Sequence, residues 1–566
     1  MGEPYQLPAT RGFARPGSRV AGMEAGVAQE AVLAGASGTD TPPRPVPAVS
    51  LGQRPMHRLE RAPQSLVWTW SASFLVLFVA VAAWSFASPL GSGPDEPAHL
   101  DRAVSLVRGQ LLGAPLPHPT EAQKSYVTVR VPEVFADLAN DVGCFQFKPA
   151  VPAGCQKPLN GSTKDVLTQT YVGRYPPLYY ALVGLPTLAL VSVKGIYGAR
   201  LVSGALSAAF LALAVTSLRR CRGTPLLGAG LAVGVTPMAL YLAAIINPNG
   251  LEVAAAVSAW VAAMALVSEQ PTRTSPFVVS ALGISVVALL LTRALSPLWA
   301  LATLVAVGML SRSGSWRALL RRWYTQAWLA VCAVAAVAAL AWDLWADPFL
   351  TEPGTRIAAH TSEGRVVALA VERLDLIITS SIGYFGWLDS PSPEGVIVSW
   401  LAVFGAVVLA GACLGRAREV LVLAGTLAAW VALPVAVAIS QARTEGILGQ
   451  GRDYLGLAVG IPIVAGAIAG ERFADKARSL RLVSIAVTVL IACQVADFYA
   501  AMRRNTVGIN GPLDAFAHVP GGWSPPVPGI VLFVVFALAM VGFGLLLRRS
   551  ARNQSGAGII DEVMII

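Results

Sequence analysis

Charged side chains are scarce in this chain of 566 residues, since Asp, Glu, Lys and Arg together make up 13% of it. Soluble globular domains usually carry roughly a quarter of such residues. Hydrophobic residues make up 55% of the sequence, and apolar runs recur from Leu66 to Leu547. The composition therefore excludes an ordinary soluble protein and predicts a membrane protein that crosses the bilayer many times.

Cysteine is also rare, with six residues in the whole chain, which excludes a small disulfide-rich scaffold. Cys332, Cys413 and Cys493 lie in apolar runs, where small buried side chains are expected. Cys144 and Cys155 share one polar segment. If that segment is extracytoplasmic, we expect these two residues to form a disulfide bond.

Several motifs that indicate other functions are missing from the sequence. It contains no Gly-rich loop ending in Lys-Ser or Lys-Thr and no His-Glu-x-x-His motif, so neither ATP-driven transport nor a zinc-protease site is indicated. No row of acids or histidines runs through the apolar segments, as a proton-coupled transporter would tend to need. The net charge of +10 is spread over short loops, which indicates orientation in a membrane rather than binding to nucleic acid.

Thirteen apolar segments come near the ~20 residues that a transmembrane helix needs. If segment 177–193 does not cross, the inner loops carry 17 Lys or Arg and the longer outer segments carry 8. If it does cross, this bias is inverted, contrary to the positive-inside rule. We therefore predict an all-α polytopic membrane protein with about twelve transmembrane helices, and we place 177–193 at the outer interface. The twelve segments are 66–88, 197–218, 224–246, 250–268, 276–292, 295–311, 327–346, 395–413, 419–440, 454–470, 482–501 and 528–547.

We expect the protein to lie in the plasma membrane, and this topology places both termini in the cytoplasm. Residues 1–64 are rich in Pro, Gly and Ala without a periodic apolar pattern, which predicts a disordered tail. Either Met1 or Met56 fits as the start of the chain. The other regions are a transmembrane domain over 65–547, its two large extracytoplasmic loops 89–196 and 347–394, and a second cytoplasmic tail over 548–566.

The first outer loop opens with the segment Gly93-Pro94-Asp95-Glu96-Pro97-Ala98-His99. From Pro97 to Gln110 the pattern predicts a short amphipathic helix, which either acid could cap. Capping needs one acceptor, however, and explains neither the adjacent acids Asp95 and Glu96 nor His99. The alternative is that one carboxylate acts as a general base and the other binds a metal or the substrate.

Arginine, amide, aromatic and acidic side chains recur in segments that are predicted to lie on the outer side of the membrane. Arginine forks suit phosphate oxygens, and snorkelling or ordinary ion pairing is the alternative. The amides could bind sugar hydroxyls or turn the chain, and the aromatic rings could stack on a sugar or anchor helices at the interface. These groups are Arg174, Tyr175, Arg200, Asn247, Asn249, Glu252, Arg293, Trp387, Asp389, Arg443 and Arg452.

Five short segments, which follow one another in a fixed order along the chain, resemble segments of known proteins. They are Pro94-Asp95-Glu96-Pro97-Ala98-His99, Arg174-Tyr175-Pro176-Pro177-Leu178-Tyr179-Tyr180, Asn247-Pro248-Asn249-Gly250, Gly386-Trp387-Leu388-Asp389 and Gln450-Gly451-Arg452. Over roughly residues 66–470 the chain is similar to a bacterial family of predicted membrane proteins, and it resembles the GT-C superfamily of integral-membrane glycosyltransferases. It departs from the narrower family at Asp453, where an aromatic residue commonly follows Gly-Arg. An acid there is expected to pair with Arg452 and weaken its binding of phosphate.

Membership of the GT-C superfamily implies a donor sugar on a polyprenyl phosphate and chemistry at the outer membrane face. In such enzymes an acid of the first outer loop acts as base or binds a metal, which maps to Asp95 and Glu96, with Mg²⁺ or Mn²⁺ as the metal in members that need one. Basic residues of the outer loops hold the lipid phosphate, which maps to Arg174, Arg443 and Arg452. The acceptor would be a glycan or lipid of the cell envelope.

Three functions are compatible with these residues. A glycosyltransferase would use Asp95 and Glu96 as its catalytic residues. A glycan polymerase, a ligase or a lipid-linked-glycan flippase would use the arginines without the carboxylates, and a non-catalytic scaffold of an envelope-assembly complex would need neither. The residues predicted to bind substrate are His99, Arg174, Tyr175, Asn247, Asn249, Trp387, Asp389, Arg443 and Arg452.

Overall fold

The computed structural model describes residues 65–563, except for internal gaps at 121–122, 160, 222–224, 269–274, 312–314, 349–356, 359, 445, 448, 515 and 517–520. The tail predicted over 1–64, with Met56, lies outside the described residues.

Helices dominate the described chain, and five short strands accompany them. In chain order the helices are α1 (Leu66–Ala87), α2 (Glu96–Val107), α3 (Glu133–Asp141), α4 (Pro177–Val183), α5 (Pro186–Ala189), α6 (Val193–Leu218), α7 (Pro225–Gly234), α8 (Pro237–Ala244), α9 (Pro248–Ser268), α10 (Pro276–Thr292), α11 (Ser296–Leu310), α12 (Ser315–Leu320), α13 (Trp323–Ala346), α14 (Glu363–Ile382), α15 (Glu394–Leu414), α16 (Ala417–Gln441), α17 (Gly451–Ala458), α18 (Gly460–Arg472), α19 (Lys476–Val507) and α20 (Gly529–Val563). The strands are β1 (Ala114–Pro115), β2 (Val127–Pro132), β3 (Asp165–Thr170), β4 (Tyr384–Phe385) and β5 (Ser390–Pro391).

Each of the twelve predicted spans is helical in the structure. Nine segments of the described chain are long and apolar enough to cross a membrane, with α17 and α18 counted as one, and the bent pair α7–α8 makes a tenth. The other two, α10 and α11, are apolar helices of 17 and 15 residues. The predicted all-α polytopic membrane fold is thus confirmed.

Segment 177–193 does not form a span. It folds into α4 and α5, which have seven and four residues, far fewer than a crossing requires. Helix α4 ends at its C-cap Gly184, and Pro186 begins α5, where its missing N–H donor removes a hydrogen bond that would continue α4.

The final helix differs from the prediction in length. Helix α20 continues beyond the predicted end of the span at residue 547 and runs to Val563, through most of the segment predicted as a tail. Arginine is a good helix former and needs no apolar surroundings, so Arg548 and Arg549 do not end the helix.

The first outer loop has a small hydrophobic core of its own. Strand β2 pairs antiparallel with β1 and β3, with Val129 opposite Thr168. Helix α2 packs against this sheet and against α4, and buries Leu100, Val104 and Tyr180. The loop is therefore a folded unit that holds α2 in a defined position.

Contacts between helix ends bring the predicted outer segments together at one end of the helix bundle. The Asn249 side chain, at the start of α9, donates a hydrogen bond of 3.2 Å to the backbone carbonyl of Arg452 in the first turn of α17. Ser296, at the start of α11, donates to Glu252 of α9 at 2.7 Å. The N-terminal ends of these three helices thus meet beside α2.

Candidate functional site

Asp95 is the centre of the candidate site. It stands immediately before α2 in the left-handed conformation, with φ of +62°, and its side chain makes no capping hydrogen bond. One carboxylate oxygen accepts a 2.6 Å hydrogen bond from the Tyr171 hydroxyl, and the other lies 2.5 Å from Nη2 of Arg452. A capping residue would turn its side chain to its own helix, so simple helix capping does not account for Asp95.

The carboxylate of Asp95 is held in its charged form. Desolvation raises its pKa, but the Arg452 guanidinium, together with the Tyr171 hydrogen bond and Arg293, outweighs that effect and leaves the pKa below its ordinary value. The Asp95 side chain is 27% exposed, so a substrate hydroxyl can approach it.

Arg452 faces Asp95 from the first turn of α17. Its side chain is 9% exposed, and within the described residues its Nη1 is buried without a hydrogen-bond partner. Gly451 permits this placement, since a Cβ there would come within 2.3 Å of the backbone nitrogen of Ser381. One nitrogen of the guanidinium thus has hydrogen-bonding capacity that the described residues do not use.

A network of hydrogen bonds and ion pairs lies next to Arg452. Glu252 accepts hydrogen bonds from Arg293 at 3.0 Å and from Trp299 at 2.7 Å. Arg293 also contacts Asp453 at 3.3 Å. The expected competition of Asp453 for Arg452 is not what the contacts show, because Asp453 pairs with Arg293 instead.

Glu96 is turned away from Asp95 and into the protein. Both its carboxylate oxygens lie 2.6 Å from nitrogens of Arg200, and both side chains have no exposed surface. Arg200 donates its remaining hydrogen bonds to the carbonyls of Ser85, Ser88 and Pro89. A carboxylate so fully engaged anchors the turn, and its predicted role as a base or metal ligand stays a prediction that these contacts do not favour.

The two acids do not form the donor set that a divalent cation requires. Mg²⁺ needs several oxygen ligands directed at one point, whereas Asp95 and Glu96 pair with different arginines. Among the described residues, no group of three or more His, Cys, Asp or Glu side chains could hold a metal ion. Asp95 and Glu96 thus do not share one cation, and the predicted use of Mg²⁺ or Mn²⁺ stays a prediction, since one or two carboxylates together with substrate phosphates can also bind Mg²⁺.

His99 and Tyr175 lie next to this centre. The His99 ring stacks on Tyr180, with its Nδ1 2.8 Å from the Tyr180 hydroxyl, and its centroid is 6.1 Å from that of Tyr175. Burial lowers the pKa of His99 to about 3, and Arg452 and Arg293 act in the same direction against Asp95. A neutral imidazole could bind a sugar hydroxyl, but it would not add positive charge for a phosphate.

The amides of the Asn-Pro-Asn turn hold protein groups. Asn247 donates to the carbonyl of Pro94 at 3.0 Å, and its side-chain oxygen accepts from the backbone N–H of Asn249. Asn249 donates to Glu252 as well as to the Arg452 carbonyl. Both residues therefore join the Asp95 turn to the Arg452 helix.

Two predicted arginines have partners elsewhere in the protein. Arg174 donates to the carbonyl of Ala346 at 3.0 Å, which connects it to the end of α13. Arg443 forms an exposed ion pair with Glu363, at the start of α14. Their predicted binding of lipid phosphate stays a prediction.

Trp387 and Asp389 brace the first outer loop. Trp387 donates to the carbonyl of Gly91 at 3.1 Å and packs against Phe147. Asp389 forms a buried ion pair of 2.6 Å with Arg504 of α19. These contacts account for both residues without a sugar, so their role in substrate binding stays a prediction.

Cys144 and Cys155 are joined by a disulfide bond in the structure, with an S–S distance of 2.05 Å. Arg504 donates to the carbonyls of Phe145, Lys148 and Val151 inside the closed loop. The disulfide loop is thereby tied to the second outer loop through Asp389.

Sequence patterns did not identify Tyr171, and they assigned no defined partners to Arg200, Glu252 and Arg293. Tyr171 follows strand β3, and nothing in its local pattern connects it with an acid 76 positions earlier. The arginines and Glu252 were visible as charges at membrane boundaries, but only the fold determines which charges pair.

A family model described as "Predicted membrane protein (DUF2142)" matches residues 77–461, which is more than half of the chain. The chain belongs to this DUF2142 family. The matched region includes Asp95, Tyr171 and Arg452, so every member of the candidate site lies inside the family domain. The resemblance to a family of predicted membrane proteins is thus confirmed.

One solved structure similar to this DUF2142 protein is ArnT from Cupriavidus metallidurans bound to undecaprenyl phosphate. The two are 15% identical, the match covers 87% of this chain and 79% of that one, and the TM-score is 0.38. Residue roles are not carried over at such a score. No curated protein matches the chain at a significant level.

Replacing Glu96 tests whether it is structural. Glu96→Gln should lower the melting temperature of the purified protein strongly, because an unpaired buried arginine costs about 3–5 kcal/mol. Asp95→Asn should cost much less, because Asp95 is partly exposed. The double variant Glu96→Gln/Arg200→Gln should recover part of the loss, since it removes the unpaired charge. A Glu96→Gln protein as stable as wild type would contradict the anchoring role.

Burial of His99 should make folding stability fall in acid. Its pKa is about 3 in the folded protein against 6.5 ordinarily, so the unfolded chain takes up the proton first and stability drops as the pH falls from 6.5 towards 3. Between about pH 7 and about pH 5, the melting temperature should therefore fall less in His99→Gln than in wild type.

Asp101→Asn is the matched control from the same helix. Burial raises the pKa of the Asp101 carboxyl, against a weaker opposite effect of its hydrogen bond from Thr168. Its contribution to stability is therefore present at low pH and lost as the pH rises. The variant should show a steeper acid loss than wild type, and identical pH profiles of wild type and His99→Gln would contradict a neutral His99.

Proposed function

We propose that this protein is an integral-membrane glycosyltransferase of the GT-C type. It transfers a sugar from a polyprenyl-phosphate donor to a glycan or lipid acceptor of the cell envelope, at the outer face of the plasma membrane. Both termini are cytoplasmic in this proposal, in agreement with the excess of Lys and Arg in the inner loops.

The observation that carries the proposal is the placement of Asp95. An ionised carboxylate stands in a strained left-handed conformation, held by Tyr171 and Arg452 instead of capping its helix. Backbone strain of this kind costs about 1–3 kcal/mol and concentrates at functional sites. A scaffold or a flippase gives no reason to aim this carboxylate at a partly buried arginine.

The surroundings of Arg452 favour an anionic ligand. Helices α2, α9, α11 and α17 all begin at this site, and each helix N-terminus carries a partial positive charge. Together with the unpartnered Nη1 of Arg452, these termini suit the phosphate of a lipid-linked donor.

An apolar cavity supports a lipid-linked donor rather than a soluble one. Its volume is about 40 Å³, and it lies between the end of α7, α14, α15, α16 and the α17–α18 helix. Leu455 and Val459, one and two turns after Arg452, line it together with Trp400 and Trp430. This apolar surface would contact a prenyl chain whose phosphate lies near the start of α17.

The proposed reaction begins with an exchange of partners. The donor phosphate binds Arg452, which releases Asp95 from its ion pair and frees its carboxylate as a general base. Asp95 then accepts the proton of the acceptor hydroxyl, and that oxygen attacks the anomeric carbon. The bond between this carbon and the phosphate oxygen breaks, and the electron pair leaves with the phosphate, whose growing charge Arg452 stabilises. A single displacement of this kind inverts the anomeric centre.

Asp95→Asn should abolish transfer while leaving the protein folded. Loss of a general base typically costs 10²- to 10⁴-fold in rate. The measurement is the release of polyprenyl phosphate from a panel of polyprenyl-phosphate sugars by the reconstituted full chain. Asp165→Asn, an exposed acid in the same outer loop, is the matched control and should be as active as wild type. Full activity of Asp95→Asn would exclude the glycosyltransferase and favour the flippase or ligase alternative.

Arg452→Gln should weaken the binding of polyprenyl phosphate by roughly tenfold or more, because a charge-assisted hydrogen bond is lost. A polyprenyl phosphate of short chain length, titrated into the protein in nanodiscs, measures this directly. Arg443→Gln is the comparison, since Arg443 is exposed and paired with Glu363. Equal losses in both variants would place the phosphate between them and restore Arg443 as a ligand, whereas no loss in Arg452→Gln would remove the proposed phosphate site.

A further inference from the structure

A second polar cavity lies at the opposite end of the helices that form the Asp95 site. It is lined by the last residues of α9, α11 and α18 and by the first residues of α7 and α16, with a volume of about 210 Å³. Helix α9 has 21 residues, so its two ends are about 30 Å apart. The cavity therefore belongs to the other membrane face and is separate from the proposed transfer site.

Charged side chains form the rim of this cavity, which distinguishes it from the apolar cavity near Arg452. Its wall contains three guanidinium groups and two carboxylates, so the positive charge exceeds the negative. The charged residues are Arg416, Arg418, Glu419, Glu471 and Arg472.

Contacts within the rim hold two of the guanidinium groups in place. Arg472 pairs with Glu419 at 2.7 Å. Arg418 donates to the carbonyls of Leu310 and Ser311 at 2.8 and 3.2 Å. Because long charged side chains usually lose entropy when they bind, this fixed arrangement lowers the entropic cost of binding an anion.

Arg416 supplies the accessible charge. It immediately precedes α16, a helix of 25 residues, and its backbone N–H donates to the Glu419 carboxylate at 2.8 Å. Its side chain is exposed. An anion in the cavity would meet this guanidinium and the positive end of α16 together.

The floor of the cavity is apolar, with Leu227, Met264, Val267, Leu310 and Ile468. The guanidinium groups at the rim suit a phosphate group, and the apolar floor suits a hydrocarbon attached to it. We propose that this cavity binds a phosphate group on the membrane face opposite Asp95, supplied by an anionic phospholipid or by phosphate in solution.

Two single substitutions with opposite effects test the proposal on the full chain in nanodiscs. In phosphatidylcholine discs doped with phosphatidylglycerol, native mass spectrometry measures retained phosphatidylglycerol. Arg416→Gln should reduce retention about fivefold, since one charge-assisted contact is lost. Glu471→Gln should increase it, because an exposed carboxylate that repels phosphate is removed. Arg321→Gln, an exposed arginine after α11 on the same face, is the matched control and should change nothing.

A second arm separates the two sources of phosphate. Inorganic phosphate is titrated into the proteins in pure phosphatidylcholine discs, and the melting temperature is followed. A rise that Arg416→Gln weakens and Glu471→Gln strengthens identifies free phosphate as the ligand, whereas the same ordering in the lipid arm alone identifies the phospholipid. Indistinguishable behaviour of wild type, Arg416→Gln and Glu471→Gln in both arms overturns the proposal, and their melting temperatures without ligand show that all are folded.

Discussion

The buried ion pair between Glu96 and Arg200 is the constraint on which the rest of the candidate site depends. Neither side chain has any exposed surface, and Arg200 also binds three carbonyls at the end of α1. Two charges removed from water are stable only when every donor and acceptor is satisfied, and here they are. The pair joins α1, α2 and α6, and it determines the course of the chain through the Asp-Glu turn.

With Glu96 fixed inside the protein, its neighbour has little freedom. Asp95 takes the left-handed conformation and presents its carboxylate to Tyr171 and Arg452. The two acids thus lie in different environments, because Glu96 is fully buried and Asp95 is partly exposed. Such a division gives a site one anchoring and one reactive carboxylate, and the proposed base catalysis relies on the second.

The outer segments beyond Asp95 stabilise this geometry at a distance. The ion pair of Asp389 with Arg504, and the contacts of Arg504 with the disulfide loop, tie the second outer loop to the first. The Asn-Pro-Asn turn joins the first loop to α17. Much of the polar chemistry on this face is therefore structural, which is why conspicuous motifs such as Gly-Trp-Leu-Asp need not contact a substrate.

Hydrophobic segment length and loop charge were enough to predict the membrane fold, its helical segments and the exclusion of 177–193 as a span, because both are local properties of the chain. Local patterns also singled out Asp95, Glu96 and Arg452 as residues of interest. Which acid is buried with which arginine follows only from the folded chain, because Arg200 and Arg452 lie 104 and 357 positions from their partners. The folded chain likewise determines that Tyr171 contacts Asp95 and that Arg443 pairs with Glu363. Pairing of charges depends on distance and burial in three dimensions, and neither quantity is encoded in the local pattern of residues.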